Sequence, residues 1–509
     1  MKKDEFVNEM SKKYHFKSDF ITLGGAKFNN ELIPNIHVNI PLKTLNRHGL
    51  IAGATGTGKT KTIQVLSEQL SNKGIPVLMM DIKGDFSGIA QAGTLTDFIK
   101  DRHSQMNLPF NPQSFPVELL TISKQNGVRL RATVSEFGPV LLSRILDLND
   151  TQSGVMSIVF KYCDDHQYPL LDIKDLKKVI NYITNEGKDE IENEYGKIST
   201  SSTGAILRKI VELEQQGADL FFGETSFEIK DLMRIDENGK GYVNILRLTD
   251  IQDKPKLFST FMLCLLAEIY NTMPEQGDSG QPELVLFIDE AHLIFKEASK
   301  TLLDQIETIV KLIRSKGIGI YFITQNPTDV PDGVLAQLGL KIQHALRAFT
   351  EKDRKAIKTA SENFPSTPYY KTSEIITQMG TGEALVTALD EKGIPTPLAV
   401  TAIRAPESRM DVLSANEIDQ IVASSKLASK YNQVIDRESA YEILNRKILH
   451  AQELEKSTVN TSKTPKTTST KSTPKKEQGF DIGKQVVKVL TSATFIRGAF
   501  GVLNKLFKK

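Results

Sequence analysis

The chain has 509 residues, of which 39% are hydrophobic, and a formal net charge of +2 at pH 7. This composition excludes a wholly disordered chain and favours a globular protein of about two to four domains. The apolar run "FMLCLLAEIY" at residues 261–270 is too short to span a membrane, and the charged N-terminus lacks the apolar core of a secretory signal. We therefore predict a cytoplasmic protein.

The positive charge of the chain is concentrated at its C-terminus. Residues 456–509 carry 12 Lys and Arg against 2 Asp and Glu, so the remainder of the chain is net negative. A body of that sign does not attract polyanions in general. Any contact with nucleic acid is therefore expected from local patches or from the C-terminal tail.

The first predicted elements are a strand, a glycine-rich loop and a helix, which follow a short N-terminal segment at residues 1–45. The apolar stretch "GLIAG" at 49–53 predicts the strand, and "GATGTGKT" at 53–60 is the loop. The next stretch has helical spacing and ends at Gly74.

Further apolar runs without alternation predict strands that are covered on both faces. These runs are residues 75–82, 242–248, 283–289, 318–324 and 341–349. Helical patterns separate most of them, which favours an α/β fold with a mainly parallel sheet between helices. We assign this core to residues 46–125 and 241–405.

Three helical or flexible regions are predicted outside the core. Residues 126–240 form charged, amphipathic helical patterns and are predicted to be an inserted helical subdomain. Residues 406–455 predict a helical extension, and residues 456–478, rich in Ser, Thr, Lys and Pro, predict a disordered basic linker. Residues 479–509 place apolar side chains on one stripe and predict an amphipathic basic helix.

The glycine-rich loop matches the phosphate-binding pattern GxxxxGK[ST]. Because it leaves a strand and enters a helix, it aims backbone N–H groups at phosphate oxygens. Lys59 is expected to reach the β- and γ-phosphates, and the Thr60 hydroxyl is expected to ligate Mg²⁺. The residues predicted to bind the nucleotide are Gly53, Ala54, Thr55, Gly56, Thr57, Gly58, Lys59 and Thr60.

Two adjacent acidic residues follow another apolar run. In "LVLFIDEAH", Asp289 ends the strand and is predicted to hold the metal, while Glu290 is predicted to polarise the attacking water. Asp81 and Asp85, in "MMDIKGDF", are rival candidates for the base, because in some parallel-sheet ATPases the base follows that strand. We favour Glu290, since it adjoins the predicted metal ligand.

Other polar residues near the strands are candidates for stabilising the transition state of hydrolysis. Gln325 is predicted either to orient water near the γ-phosphate or to cap a helix that begins near Pro331. Arg47, Arg314 and Arg347 lie beside predicted strands, and an arginine that neutralises charge on the transferred phosphoryl group accelerates hydrolysis. A surface salt bridge is the alternative for each arginine.

Stretches spread over most of the chain carry a family resemblance. They are "LNRHGLIAGATGTGKT", "LMMDIKGDFSG", "FIDEAHLIF", "ITQNPTDVP", "LGLKIQHALRAFT", "ISTSSTGAILRKIVELEQQGADLFFGE" and "GTGEALVTALDEKGIPTP". Over residues 20–406 the chain resembles the HerA-like ATPases of the HerA and FtsK superfamily, in the bacterial branch typified by YjgR.

The resemblance implies a RecA-like core, ATP and Mg²⁺ as ligands, and a homo-oligomer, usually a hexameric ring, with ATP bound between subunits. By the same resemblance Arg47 matches a finger acting in trans, and Arg314 a second arginine near the γ-phosphate. Two departures stand against a close functional match. Fewer than fifty residues precede the loop, too few for the N-terminal β-barrel of HerA helicases, and the helical insertion has no counterpart in the translocases.

Three functions remain open from the sequence. The first is an oligomeric ATPase that moves or remodels DNA. The second is an ATP-gated assembly or signalling scaffold without motor activity, and the third, small-molecule phosphotransfer, is disfavoured by the paired acids. For the C-terminal helix, docking on the protein's own body or pairing with another copy is favoured over a protein partner, a membrane surface or DNA.

Overall fold

The computed structural model describes residues 2–277, 279–295, 300–348 and 350–461. The chain divides into two compact units. The first comprises Met1–Leu130 and Ser226–Gln433. The second comprises Arg131–Thr225 and, within the described part of the chain, residues 434–461.

The first unit is organised around a twelve-stranded sheet, counted over the described residues. Its strands are β1 (Phe20–Phe28), β2 (Glu31–Pro41), β3 (Gly49–Ala52), β4 (Val77–Asp81), β5 (Val117–Thr121), β6 (Val128–Arg129), β7 (Val243–Arg247), β8 (Leu284–Ile288), β9 (Ile318–Thr324), β10 (Leu340–His344), β11 (Glu383–Thr387) and β12 (Ala399–Ile403). Their spatial order is β2-β1-β12-β11-β10-β3-β9-β8-β4-β7-β5-β6.

Two kinds of pairing meet in this sheet. From β10 to β6 every neighbouring pair is parallel. From β2 to β10 every neighbouring pair is antiparallel. The predicted α/β fold with a mainly parallel sheet is therefore confirmed.

The central strands owe their position to continuous apolar sequence. Every residue of β4, β8 and β9 is buried, which requires cover on both faces of the sheet. Helices of the first unit lie around the sheet, and they are α1 (Lys2–Lys13), α2 (Lys59–Asn72), α3 (Asp97–Met106), α10 (Ile229–Leu232), α11 (Pro255–Thr272), α12 (His292–Phe295), α13 (Lys300–Ile313), α14 (Asp332–Leu335), α15 (Glu351–Glu362), α16 (Thr372–Gln378), α17 (Ala415–Ser424) and α18 (Lys426–Tyr431).

The second unit is helical in its described part. It contains α4 (Val134–Ile145), α5 (Asp150–His166), α6 (Ile173–Thr184), α7 (Lys188–Glu194), α8 (Thr200–Gln215), α9 (Ala218–Phe221) and α19 (Ala440–Thr461). Thr133, Asn149 and Asp172 begin α4, α5 and α6 with reciprocal side-chain caps that satisfy the first free N–H groups. Ser439 donates to Asp175 within this unit, so residues after 433 pack with α6.

The segment before the phosphate loop contributes to the sheet. Residues 1–45 were predicted to be a short segment before the core; within them β1 and β2 pair with each other, and β1 pairs with β12. Phe6 and Met10 of α1 are fully buried in the same core. An antiparallel sheet edge needs only short connections, so this segment extends the core without forming a barrel.

Two further boundaries differ from the sequence prediction. The strand expected over residues 341–349 runs instead from Leu340 to His344, and Ala345 O accepts a hydrogen bond from the loop residue Ala54. Helix α19 continues to Thr461, beyond the expected start of the linker at residue 456. The rest of that linker and the predicted helix at residues 479–509 lie outside the described residues.

Among the described residues, no helix is both long enough and apolar enough to cross a membrane. Helix α11, which contains the apolar run noted in the sequence, has 18 residues and packs against α13.

Candidate active site

The glycine-rich loop lies at the carboxyl edge of the parallel strands. It leaves β3 and enters α2, and β3 is paired with β9 on one side and β10 on the other. Gly53 N–H donates to Thr324 O at 3.3 Å, and Ala54 N–H donates to Ala345 O at 2.9 Å. The start of the loop is thus tied to the ends of both neighbouring strands.

Two glycines of the loop adopt backbone angles that other residues rarely take. Gly56 has φ +76° and Gly58 has φ +110°. A Cβ on Gly58 would lie 3.0 Å from Gly382 N, whereas a Cβ on Gly56 would meet no atom within 4 Å. At position 56 only the backbone conformation favours glycine. At position 58 glycine is favoured both by the backbone conformation and by the lack of space for a Cβ atom beside Gly382.

Lys59 lies across the loop that precedes it. Its ammonium donates to Gly53 O at 2.6 Å and to Ala54 O at 3.1 Å. Burial, together with the nearby charge of Lys83, lowers the pKa of Lys59, while Glu290 and Asp289 act in the opposite direction. The charges of the two acids after β8 therefore act on the Lys59 ammonium.

The threonines of the loop have different surroundings. Thr57 closes the loop by donating to Ala54 O at 2.7 Å. Thr60, at the start of α2, donates to Asp85 Oδ2 at 3.3 Å. The second oxygen of Asp85, Oδ1, is buried and accepts no hydrogen bond from the described residues. Thr55, at the loop tip, is exposed.

Asp289 and Glu290 follow β8 and are both buried. Asp289 Oδ1 accepts a hydrogen bond from the Glu290 N–H at 2.9 Å. Burial raises the pKa of Asp289 to about 7, against the opposing charge of Lys83. Glu290 has φ +46°, a conformation that is uncommon for a residue with a side chain and that turns the chain sharply after the strand.

The Glu290 carboxylate is held on one of its two oxygens. Oε1 forms an ion pair with Lys83 and accepts a hydrogen bond from Gln325 at 3.4 Å. Oε2 lies 3.1 Å from His292 Nδ1 but accepts no aligned hydrogen bond from the described residues. Burial favours the neutral acid, but Lys83 and Gln325 outweigh it and lower the pKa of Glu290.

The two rival carboxylates after β4 differ in what they contact. Asp81 accepts hydrogen bonds from the N–H groups of Gly84, Asp85 and Phe86 at 2.7, 3.1 and 3.3 Å. Burial raises the pKa of Asp81 to about 6. Its oxygens are therefore engaged by its own turn, and Asp85 is the one that contacts the phosphate loop.

Arg47 and Arg314 lie at the other edge of the sheet. Arg47 precedes β3 and Arg314 precedes β9, and these parallel strands begin together at the edge opposite the loop. Both arginines line one cavity of about 440 Å³. The structure therefore does not bring either arginine to the loop of its own chain.

Gln325 and Arg347 lie at the loop edge. Gln325 does not cap the helix that begins near Pro331, because Pro331 itself precedes α14 and no side chain in the described part of the chain caps that helix. Arg347 follows β10, is exposed, and donates to Thr377 O at 3.0 Å.

Two residues of the site, Lys83 and His344, were not predicted from the sequence. Lys83 lies within the stretch "MMDIKGDF". Its position between Asp81 and Asp85, directly after a predicted strand, could have indicated a residue of the site. His344 Nε2 and the Thr62 hydroxyl form a hydrogen bond of 2.9 Å beneath the loop. Burial lowers the pKa of His344 to about 4. No local pattern marks His344, because its partner is distant in sequence.

The parallel sheet, the phosphate loop after β3 and the paired acids after β8 define a P-loop ATPase with a RecA-like core. The family described as Helicase HerA-like C-terminal matches residues 29–498, and the chain belongs to that family. The resemblance seen in the sequence is confirmed.

Relatives of known name are distant. The chain is 22% identical over 377 residues to the DNA double-strand break repair helicase HerA of Sulfolobus acidocaldarius. The aligned region covers 72% of this chain and 68% of that protein. It is 23% identical over 376 residues to the protein of the same name from Saccharolobus solfataricus, covering 73% and 67%. It is also 23% identical over 389 residues to the DNA import protein CedB of Sulfolobus acidocaldarius, covering 76% and 56%.

Among solved structures, the bacterial conjugative coupling protein TrwBdeltaN70, in its trigonal form with sulphate, has a TM-score of 0.50 to this chain. The identity is 14%, and the match covers 80% of this chain and 94% of that one. At that identity the likeness establishes the fold alone.

Proposed function

We propose that the chain is a homo-oligomeric ATPase that hydrolyses ATP with Mg²⁺ and couples the reaction to translocation or remodelling of DNA. One observation carries the proposal. The phosphate loop with Lys59 follows β3, and the acidic pair Asp289 and Glu290 follows β8, with β9 between these two strands in the parallel part of the sheet.

The loop supplies the triphosphate site. Its N–H groups and the N-terminus of α2 offer hydrogen bonds and partial positive charge, and Lys59 adds a full charge. Lys59 now bonds two loop carbonyls, which phosphate oxygens would replace as its partners.

The acidic residues fit Mg²⁺, which prefers oxygen ligands. Thr60 and Asp289 would hold the ion, and the buried, unpartnered Oδ1 of Asp85 would accept from a water of its shell. When bound, Mg²⁺ supplies charge neutralisation on the phosphate oxygens.

Glu290 is the proposed base. Its lowered pKa keeps it ionised near neutral pH, so it can accept a proton from the attacking water. The water oxygen bonds to the γ-phosphorus as the bond to the β,γ-bridging oxygen breaks, leaving ADP and phosphate. Gln325, which already contacts Glu290, would orient that water.

The placement of Arg47 and Arg314 supports a ring. Both lie on the edge opposite their own loop, where they are available to the loop of a neighbouring subunit. A head-to-tail ring would bring one edge against the other and complete each site in trans. A hexamer is the form we propose.

DNA is the proposed substrate because the named relatives are a DNA double-strand break repair helicase and a DNA import protein. The second candidate, an ATP-gated scaffold, is favoured by the net negative charge of residues 1–455 and by the separate helical unit. We place the protein in the cytoplasm, and we propose self-association for residues 479–509, with a protein or membrane surface as the alternative partner.

The test is the ATPase rate of the purified oligomer with single-stranded, duplex and branched DNA, with RNA, and without nucleic acid. We expect DNA to stimulate turnover, with stimulation that weakens as salt rises. Equal turnover under all conditions in a verified oligomer would exclude the motor and leave the scaffold. Absence of ATP turnover and ATP binding would exclude both.

A further inference from the structure

Lys83 contacts the proposed base from a neighbouring strand end. β4 and β8 are paired in parallel, so the turn after β4 lies beside Asp289 and Glu290. The ammonium of Lys83 forms an ion pair with Glu290 Oε1. The Lys83 side chain is 36% exposed and the Glu290 side chain 8%, so the cation reaches the buried carboxylate from the solvent side.

The turn that carries Lys83 is built to hold it in place. The Asp81 carboxylate, at the end of β4, accepts three consecutive N–H groups, from residues 84, 85 and 86. Gly84 provides the positive φ, +84°, that the turn requires. A Cβ at Gly84 would lie 3.0 Å from the Thr249 side chain, so the turn is packed against its neighbour. Lys83 therefore projects from a rigid support.

Lys83 and Gln325 contact the same oxygen of Glu290, Oε1, while His292 Nδ1 lies 3.1 Å from the other oxygen, Oε2. Lys83 and Gln325 approach Oε1 from the turns after β4 and β9, on either side of β8. Oε2 is left without an aligned hydrogen bond from the described residues. A carboxylate fixed through one oxygen presents the other in a defined direction. The arrangement therefore selects Oε2 to accept the proton.

We propose that Lys83 is a positioning residue for ATP hydrolysis: it anchors Oε1 of Glu290 so that Oε2 faces the attacking water. The inference rests on the proposed ATPase function and adds a residue to it. Lys83 acts through Glu290 and does not bind the nucleotide. This role explains why a flexible cation stands on a turn that is held by three hydrogen bonds to one buried acid.

The experiment compares Lys83→Ala and Lys83→Arg in the wild-type chain and in a Glu290→Gln background. The readouts are kcat, KM and the equilibrium Kd for MgATP. Lys371→Ala is the matched control, because Lys371, the residue before α16, also pairs with a glutamate, Glu374. Lys371→Ala should leave every readout unchanged.

For Lys83→Ala we expect kcat to fall by about tenfold or more, because a misplaced general base loses part of its contribution to the rate. KM and Kd should stay within about twofold of wild type. Lys83→Arg, which keeps the charge and a donor, should recover part of kcat. In the Glu290→Gln background Lys83→Ala should lower turnover no further, because the group it positions is gone.

Two outcomes overturn the proposal. One is a Lys83→Ala enzyme with kcat within about twofold of wild type, since a positioning residue of a general base affects the chemical step. The other is a Kd for MgATP that rises equally in both backgrounds, which would make Lys83 a phosphate ligand. Full activity of Lys59→Ala and Glu290→Gln would instead reject the ATPase assignment itself, so the two failures are distinguishable.

Discussion

Gly58 of the phosphate loop lies so close to Gly382, the residue before β11, that a side chain on Gly58 has no room. A Cβ on Gly58 would lie 3.0 Å from Gly382 N, and the same N–H donates to Thr57 O at 2.9 Å. The end of the antiparallel part of the sheet thus supports the loop, although the two segments are more than 300 residues apart.

This contact predicts different effects for two loop glycines. Gly58→Ala combines strain at φ +110° with a clash against backbone, so we expect MgATP affinity to fall by about tenfold or more. Gly56→Ala carries strain at φ +76° but no clash, and its loss should be smaller. Equilibrium binding of a fluorescent ATP analogue measures both. Equal losses would show that the approach of Gly382 is unimportant.

The position of the arginines predicts complementation between subunits. Arg47→Ala and Lys59→Ala should each be inactive alone. In an equal mixture that exchanges subunits, about a quarter of interfaces join an intact loop to an intact arginine, so activity should return to about that fraction of wild type. The ATPase rate of the mixture gives the answer. If mixed rings show no activity, Arg47 does not act in trans.

Asp81 is predicted to act on stability and not as the base. Asp81→Ala leaves three N–H groups of the turn without their acceptor, and we expect a loss on the order of 1–3 kcal/mol. Its thermal midpoint should fall, and that of Asp85→Ala should fall less, since Asp85 accepts only from Thr60. An unchanged midpoint for Asp81→Ala would return Asp81 to the candidates for the base.

Glu68 of α2 predicts a pH-dependent contribution to stability. It is buried and accepts the N–H groups of Glu407 and Ser408 at 2.8 and 3.1 Å. Burial raises its pKa from an ordinary value of 4.5 to about 7. The folded chain therefore binds an extra proton between these values, and the contribution of this group falls as pH rises through that window.

Thermal midpoints of wild type and Glu68→Gln at pH 5 and pH 8 test this. Glutamine does not titrate, so the wild type should lose stability relative to the variant on going to pH 8, by an amount on the order of 1–3 kcal/mol. A difference between the two proteins that is the same at both pH values would contradict the assignment.

The sequence predicts those parts of the site in which a functional motif directly follows an apolar strand. The loop and the acids Asp289 and Glu290 each follow an apolar strand, and parallel strands end at one edge, so their meeting follows from the pattern. Lys83 lies on a third such strand end, and only the turn made by Asp81 shows that it points towards Glu290.

The features that could not be predicted depend on the pairing of strands that are distant in sequence. β1 and β2 join the sheet through β12, which lies more than 350 residues later, and no local periodicity specifies that partner. The separation of Arg47 and Arg314 from their own loop also depends on strand direction and not on residue type. Their role stays a prediction until the mixing experiment is done.

The most direct test of the central claim is a comparison of ATP binding and ATP hydrolysis by Glu290→Gln. The account predicts that the variant binds MgATP with an affinity close to wild type while turnover falls by about a hundredfold or more, the scale expected for removal of a general base. Lys59→Ala should lose both. Wild-type turnover by Glu290→Gln would contradict the account, because another group would then have to activate the water.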